Sequence, residues 1–233
     1  MEAFVGTSGW MYSWNKGGTL DWYAENSKLN AIELNASFYR FPFPNQVKHW
    51  TEIGRDLAWS IKVNRLITHQ YKLGMNCWPV LSKFLSLFKP LEESIHYYLF
   101  QLPNLLTPNI LDNVESLLGE FDISAKFAIE PRSQSWFNDE TFNRMRKLGI
   151  TFVSIDSPIG VIVKKTSSSV YMRMHGRRSW YSYNYSGKEL AATIDRISSE
   201  RPKNAYVFFN NDHDMLGNAR AMMKLLKGSS GRR

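Results

Sequence analysis

The sequence predicts a (β/α)₈ barrel of TIM type, in which parallel strands alternate with helices. Three observations favour this fold. Eight short runs rich in β-branched and aromatic residues recur along the 233-residue chain, each of strand length. Segments with helical periodicity separate most of these runs. No run is followed by the glycine-rich fingerprint of a dinucleotide-binding sheet, which disfavours an open doubly wound sheet, the alternative for this element order.

The eight predicted strands are bounded by turn-forming residues, and each is long enough to cross a barrel wall. In chain order they cover residues 4–7, 31–35, 59–64, 97–102, 126–132, 151–156, 170–176 and 205–211.

Seven predicted helices lie between these strands or after the last one. They cover residues 20–28, 45–53, 79–88, 110–118, 139–148, 188–198 and 214–226. Pro44 precedes the second helix and suits a first helical turn. The link 157–169 is short and rich in glycine and serine, so we expect the sixth helix of the barrel to be reduced.

Composition indicates an ordinary globular protein, with 43% hydrophobic and 21% charged residues. One domain is predicted over residues 1–227, followed by a flexible basic tail over 228–233. Cys77 is the single cysteine, the N-terminus has no secretory pattern and no run is long enough to span a membrane. We therefore expect a cytoplasmic protein without a membrane partner. The net charge of +8 favours anionic partners, with nucleic acid as one alternative.

Polar residues recur late in the predicted strands, on the face opposite the apolar side chains that should meet the helices. Such groups are costly to bury unless they are paired or solvated. Their position at the carboxyl ends, where barrel active sites lie, predicts a functional pocket. A mutually neutralising ion-pair network is the other interpretation, and the two are compatible. The residues concerned are Glu33, Lys62, Gln101, Glu130, Arg132, Asp156, Arg173 and His175.

Seven ordered motifs spread over nearly the whole chain resemble the DUF72 family (domain of unknown function 72), also called YecE-like. They lie at residues 6–10, 32–40, 60–63, 100–103, 130–132, 171–176 and 209–212. The resemblance implies a TIM-type barrel and implies no settled activity.

Four residues are candidates for acid–base catalysis. Glu33, Glu130 and Asp156 come from three different strands, and two carboxylates in one cleft would titrate together. His175, at a strand end beside Gly176, is the candidate for proton transfer.

A second group is predicted to bind substrate. Lys62, Arg132 and Arg173 together would form a cradle for a phosphate or a carboxylate. Aromatic residues beside arginines in the 177–185 loop could stack on bases or sugars. The remaining candidates are Asn35, Tyr39, Gln101, Trp180 and Asn210.

No cofactor can be assigned, because no nucleotide-binding motif is present. A metal ion held by Glu33, Glu130, Asp156 and His175 is conceivable but not favoured, since these residues are scattered and no histidine-rich motif occurs.

Three functions stay open. The first is an enzyme, of hydrolase type, acting on a phosphate-bearing or nucleic-acid substrate. The second is an isomerase or lyase for a sugar or another small polar metabolite. The third is a ligand-binding barrel without catalysis.

Overall fold

The computed structural model describes residues 1–230, with side chains described through Lys227, and nine strands and seven helices form its frame. The strands are β1 (Glu2–Thr7), β2 (Ala31–Leu34), β3 (Ala58–Lys62), β4 (Ile95–Gln101), β5 (Phe127–Glu130), β6 (Thr151–Ser157), β7 (Gly160–Ile162), β8 (Ser169–Met174) and β9 (Asn204–Phe209). The helices are α1 (Leu20–Asn26), α2 (Pro44–Ile53), α3 (Trp78–Phe88), α4 (Leu111–Glu120), α5 (Asp139–Lys147), α6 (Gly187–Ser199) and α7 (Met215–Ser230).

Eight of the strands are parallel and follow the order β1-β9-β8-β6-β5-β4-β3-β2 around a nearly closed barrel. The two ends of this order, β1 and β2, meet through a parallel bridge between Ser8 and Glu33. The predicted (β/α)₈ barrel is therefore confirmed.

Side chains replace the missing backbone ladder where β1 meets β2. Asn30 accepts a hydrogen bond from the backbone N–H of Val5 at 2.9 Å and donates one to the Ala3 carbonyl at 2.9 Å. The Tyr23 hydroxyl accepts from the N–H of Thr7 and donates to the Ala31 carbonyl. Gly6 lets the two backbones approach, because a Cβ there would lie 2.6 Å from the Ala31 carbonyl carbon.

The link between β6 and β8 contains no helix, which agrees with the predicted reduction of the sixth helix. It instead forms β7, an unpredicted strand that pairs antiparallel to β6 with Ile155 opposite Ile162. Gly160, at φ +132°, allows the tight turn between them.

The helix ends differ from the predicted ones by a few residues. Ser186 caps α6 with Glu189 in a reciprocal capping box. The last helix, α7, runs to Ser230, three residues into the stretch predicted as a flexible tail. Residues 231–233 of that stretch lie outside the described residues. Within the described part of the chain, no helix combines the length and apolar character needed to cross a bilayer.

The barrel interior is divided into an apolar floor and a polar mouth. The floor, near the amino ends of the strands, is packed with large buried side chains. Tyr97, Leu99, Tyr171, Tyr206 and Phe208 form most of it. A separate cluster of buried hydrophobic side chains lies between the outer faces of the strands and the helices. The floor blocks the barrel from below, so a ligand can enter only from the carboxyl ends.

Candidate functional site

Arg173 occupies the centre of the barrel mouth and is fully buried. Its Nη1 donates to Glu130 Oε2 at 2.6 Å, and its Nη2 donates to Glu33 Oε1 at 2.5 Å. The Ser8 hydroxyl accepts a further bond from Nη2 at 3.1 Å. One guanidinium thus joins strands on three sides of the barrel. Strand alternation predicts that Glu33, Glu130 and Arg173, at or next to the ends of β2, β5 and β8, point inward.

Glu33 has further hydrogen-bond partners besides Arg173. Glu33 accepts hydrogen bonds from the hydroxyls of Ser8 and Tyr171, the latter at 2.7 Å. Tyr171 in turn contacts Ser60 Oγ at 2.6 Å. Because every donor lies on a barrel strand or just beyond its end, both carboxylates are held by the fold itself. We call Ser8, Glu33, Glu130, Tyr171, Arg173 and His175 the central network.

Charge compensation dominates the electrostatics of this network. Burial alone would raise the pKa of Glu130, but Arg132, Arg173 and His175 lower it well below the usual range. The pKa of Arg173 is raised by Glu130 and Glu33 in spite of burial. Two carboxylates therefore face two guanidinium groups, Arg173 and Arg132, whose Nη2 lies 3.3 Å from Glu130. The predicted ion-pair network and the predicted polar pocket are both present.

His175 is held as a neutral imidazole. Its Nε2 lies 2.8 Å from Glu130 Oε1 and its Nδ1 lies 3.3 Å from Asn210 Nδ2. A carboxylate requires a donor and an amide nitrogen requires an acceptor, which fixes the proton on Nε2. Burial lowers the pKa of His175 to about 4 against the opposing effect of Glu130. Its role in proton transfer stays a prediction.

The buried His175 should make stability depend on pH. Below pH 6.5 the unfolded chain protonates this histidine, whereas the folded protein does so only near pH 4. The free energy of unfolding should therefore fall as the solution is acidified through this window, by up to about 1.4 kcal/mol per pH unit. His175→Gln keeps a donor toward Glu130 and does not titrate, so its urea-unfolding free energy should fall less steeply from pH 6.5 to 4.5.

The matched control is His213→Gln, at an imidazole on the surface with a side chain 78% exposed. That variant should keep the pH slope of the parent protein. An identical slope in the parent and His175→Gln would contradict the assignment of a neutral buried imidazole.

A cavity of about 360 Å³ opens above the central network. The loops after β1, β2, β3, β8 and β9 and the end of β4 form its wall, which is mostly amide, phenol and imidazole groups. Its lining residues are Tyr12, Asn35, Phe38, Tyr39, Lys62, His69, Gln101, Tyr181, Asn210, Asp212 and Met215. Five of the predicted substrate-binding residues lie here: Asn35, Tyr39, Lys62, Gln101 and Asn210.

Two polar groups near the cavity lack the partners that burial normally demands. Asn35 Oδ1 has no hydrogen-bond partner within the described residues. Neither do Nε and Nη2 of Arg132, whose guanidinium lies 4.8 Å from the ring centre of Trp180. Trp180 also lies against His175, with ring centres 5.3 Å apart. Arg132 and Trp180, each predicted to bind substrate, thus stack on each other.

Asp156 is not brought to the central network, which corrects the expectation that its side chain points into the barrel. Val153 belongs to the barrel floor, so the alternation of β6 directs Asp156 outward. There it accepts hydrogen bonds from Nε and Nη2 of Arg177 at 3.0 and 2.9 Å, and from the Tyr185 hydroxyl. Burial raises its pKa against the effect of Arg177. Asp156 anchors the 177–185 loop to β6.

The metal site considered from the sequence needed Asp156 beside the other three candidates, and the structure separates it from them. Within the described residues, no group of three or more histidine, cysteine, aspartate or glutamate side chains is arranged to hold a metal ion.

Sequence reasoning missed several residues of the site. Ser8, Ser60 and Tyr171 support Glu33, but a serine or tyrosine in a strand gives no distinctive signal. His69 lies on a π-helical turn, Leu66–Gln70, directly after β3. Single π-helical turns occur often at functional sites, yet neither the turn nor its position over the mouth can be read from the local pattern. Tyr12 and Asp212 complete the wall from the β1 and β9 loops.

Comparison with known proteins agrees with this architecture. Residues 4–232 match the family described as "Protein of unknown function DUF72". Two solved DUF72 proteins superpose with a TM-score of 0.83 each. The one from Thermotoga maritima is 27% identical, over 97% of this chain and 100% of that one. The one from Enterococcus faecalis is 22% identical, over 97% and 95%.

A more distant similarity in fold extends to a D-psicose 3-epimerase from Clostridium cellulolyticum, solved with D-tagatose. It superposes with a TM-score of 0.64 at 9% identity, over 98% of this chain and 99% of the epimerase. No curated protein matches the chain in sequence.

Proposed function

The chain belongs to the DUF72 family, and on that premise we propose that it is an enzyme of isomerase or lyase type. Its substrate would be a small, hydroxylated carbonyl compound bound in the cavity above the central network. One observation carries the proposal: the cavity wall consists mostly of neutral hydrogen-bonding groups, with one lysine, Lys62, and one aspartate, Asp212, over a layer of charges that already neutralise each other.

The size of the cavity supports a small ligand. At about 360 Å³ it lies near the lower end of the range of ligand pockets, about 300–1,000 Å³. A sugar-sized molecule fits such a volume, and a polynucleotide does not. The fold shared with a sugar epimerase agrees with this ligand size, although a similarity at 9% identity is evidence for the fold alone.

The chemistry of the wall supports a ligand with hydroxyl groups. Asn35, Gln101 and Asn210 supply amides that can both donate and accept hydrogen bonds. Asn35 Oδ1, which has no protein partner in the described part of the chain, would accept from a ligand hydroxyl. A deep layer of fixed charges beneath the ligand would stabilise charge that develops on a carbonyl oxygen during the reaction.

A phosphate-bearing substrate is the second candidate, and Arg132 favours it. Its Nη2 lies 3.3 Å from Glu130 Oε1, but neither Nε nor Nη2 has a hydrogen-bond partner within residues 1–227. A guanidinium can bind phosphate through two such donors. The other cation of the predicted cradle, Arg173, is already bound by Glu33 and Glu130.

Thermal stability in the presence of ligands should separate these functions. We expect a ketohexose such as D-tagatose or D-psicose, at 100 times its Kd, to stabilise the protein by about 2.7 kcal/mol. For a chain of this size that raises Tm by about 5–10 °C. Asn35→Ala should reduce the shift, whereas Asn109→Ala, at an exposed asparagine, should not.

The comparison ligands are D-fructose 6-phosphate and a short DNA duplex at low and high salt. Stabilisation by the phosphorylated sugar alone would favour the second candidate, an enzyme with a phosphate-bearing substrate. Stabilisation by DNA that disappears with salt would instead indicate nucleic-acid binding and contradict the proposal.

A further inference from the structure

Lys62 presents its amine to the mouth cavity without an acidic partner. It is the last residue of β3, it is 5% exposed, and it lines the cavity wall. Within the described residues its Nζ makes no hydrogen bond and no ion pair. Lys126, at the amino end of the barrel, shows the usual arrangement: its Nζ lies 2.5 Å from Glu92 Oε1. A buried ammonium without a paired carboxylate is costly, so the site favours the neutral amine.

The neighbours of Lys62 explain why no carboxylate pairs with it. Glu33 and Glu130 lie beneath it, and their oxygens are bound to Arg173, Ser8, Tyr171 and His175. Asp212, the acidic residue of the cavity wall, makes its ion-pair contact with His213 and none with Lys62 within the described residues. The Nζ of Lys62 lies over the ring of Phe38, 4.2 Å from its centroid.

Burial, followed by the positive charge of Arg173, lowers the pKa of Lys62 to about 7. A far larger share of the molecules would then carry a neutral amine at pH 7 than for an ordinary lysine. Catalytic lysines that attack carbonyl groups are activated by this kind of environment.

We propose that Lys62 is a nucleophile that forms a Schiff base with the carbonyl carbon of the substrate. The substrate class is then narrowed to aldehydes and ketones, such as an open-chain ketose or a 2-oxo acid. The inference rests on the proposed function in one respect, namely that the mouth cavity is the substrate site.

The step balances without an external oxidant or reductant. The Nζ lone pair forms a bond to the carbonyl carbon, and the π pair moves to the oxygen, which takes a proton. Both amine protons leave nitrogen: one is the proton that the carbonyl oxygen takes up, and the second goes to the resulting hydroxyl. That group departs as water, so the C–O bond breaks and the C=N bond forms. The net change is one amine and one carbonyl giving one imine and one water. The imine, once protonated, withdraws electrons from the adjacent carbon and so eases loss of a proton or cleavage of a C–C bond there.

His69 is placed to carry the protons. It lines the same cavity, and its ring packs edge-on against Phe38, the ring that also contacts Lys62. Its Nδ1 lies 2.8 Å from Thr68 Oγ1, which fixes the ring. Burial, then the charges of Arg65 and Lys62, lower its pKa, so a neutral imidazole is present at pH 7 to accept a proton and return it.

Reductive trapping tests the proposal. The folded protein is incubated at pH 7 with pyruvate, glycolaldehyde or D-tagatose and sodium cyanoborohydride, and adducts are located by peptide mass spectrometry. We expect Lys62 to be modified at least about tenfold faster than the exposed Lys48, since far more of its amine is neutral. Lys62→Met should abolish this fast adduct, and Lys48→Met should leave it unchanged.

Lys62→Arg keeps a cation at the site. It provides a second test in case Lys62→Met does not fold. It should retain the parent circular dichroism spectrum and form no adduct at residue 62. Equal modification of Lys62 and Lys48, or a parent protein unmodified at Lys62 by all three probes, would overturn the Schiff-base proposal.

The failure of the Schiff-base proposal can be distinguished from the failure of the proposed function. If ketohexoses stabilise the protein but no probe is trapped on Lys62, the Schiff base is wrong and the proposed function stands. If pyruvate alone is trapped on Lys62 while no ketohexose binds, the Schiff base stands and the hydroxylated substrate class is wrong.

Discussion

Replacing Arg173 by methionine should lower the free energy of unfolding by about 3–5 kcal/mol at pH 7.5. The side chain is fully buried and binds both Glu33 and Glu130. Methionine fills much of the same volume but supplies no charge and no donor. The fold would then have to bury two carboxylates without their main cation, which costs more than the lost hydrogen bonds alone. Urea unfolding followed by tryptophan fluorescence measures the change.

This variant should lose less stability than the parent as pH falls. Without the guanidinium of Arg173, one of the three groups that lower the pKa of Glu130 is lost, whereas Arg132 and His175 remain. The folded-state pKa of Glu130 therefore rises relative to the parent, so the folded variant takes up a proton more readily as pH falls and is relatively stabilised. The gap in unfolding free energy between variant and parent should therefore narrow from pH 7.5 to 5.5. Glu33→Gln added to Arg173→Met should recover part of the loss, because one uncompensated charge is removed.

Arg178→Met is the matched control, since Arg178 is exposed, and it should change stability by less than about 0.5 kcal/mol. A similar small change for Arg173→Met would show that the central network contributes no net stability.

Gly6→Ala should destabilise the barrel by about 3 kcal/mol or more, or prevent folding. The added Cβ would overlap the carbonyl group of Ala31, with 2.6 Å to its carbon. Backbone on both sides of this contact is fixed by hydrogen bonds from Tyr23 and Asn30, so β1 and β2 must separate to admit a methyl group. Overpacking in a well-packed interior typically costs about 1–3 kcal/mol, and here the obstacle is backbone, which cannot change rotamer.

Gly119→Ala is the matched control. Gly119 lies in α4, where a Cβ would meet no atom of the described chain within 4 Å. Alanine should raise stability there by up to about 1 kcal/mol through helix propensity. Thermal melts of both variants measure the difference, and equal effects of the two substitutions would contradict the steric explanation at Gly6.

The barrel could be predicted from the sequence because the two-residue period of strands and the 3.6-residue period of helices are local signals. The short hairpin strand β7 was missed, since three residues carry too little periodicity. Its presence depends on pairing with β6 and on the turn at Gly160.

The inward direction of a candidate residue could be predicted where one strand face was clearly apolar. In β5, Phe127 and Ile129 mark the outer face, so Glu130 had to point inward. In β6 both faces carry apolar residues, Val153 and Ile155 on one and Phe152 on the other. Alternation therefore did not decide the direction of Asp156. The lone amine of Lys62 and the position of His69 depend on how separate loops meet, which no local pattern specifies.

The central network also bears on how the chain folds. Its members are Ser8, Glu33 and Glu130 from the first part of the chain and Tyr171, Arg173 and His175 from the last part. During synthesis, both glutamates leave the ribosome before Arg173, the cation that they share, exists. The early strands must keep these carboxylates hydrated, which opposes premature closure of a partial barrel. Arrival of β8 supplies the positive charge, so we expect closure to be a late event that requires nearly the whole chain.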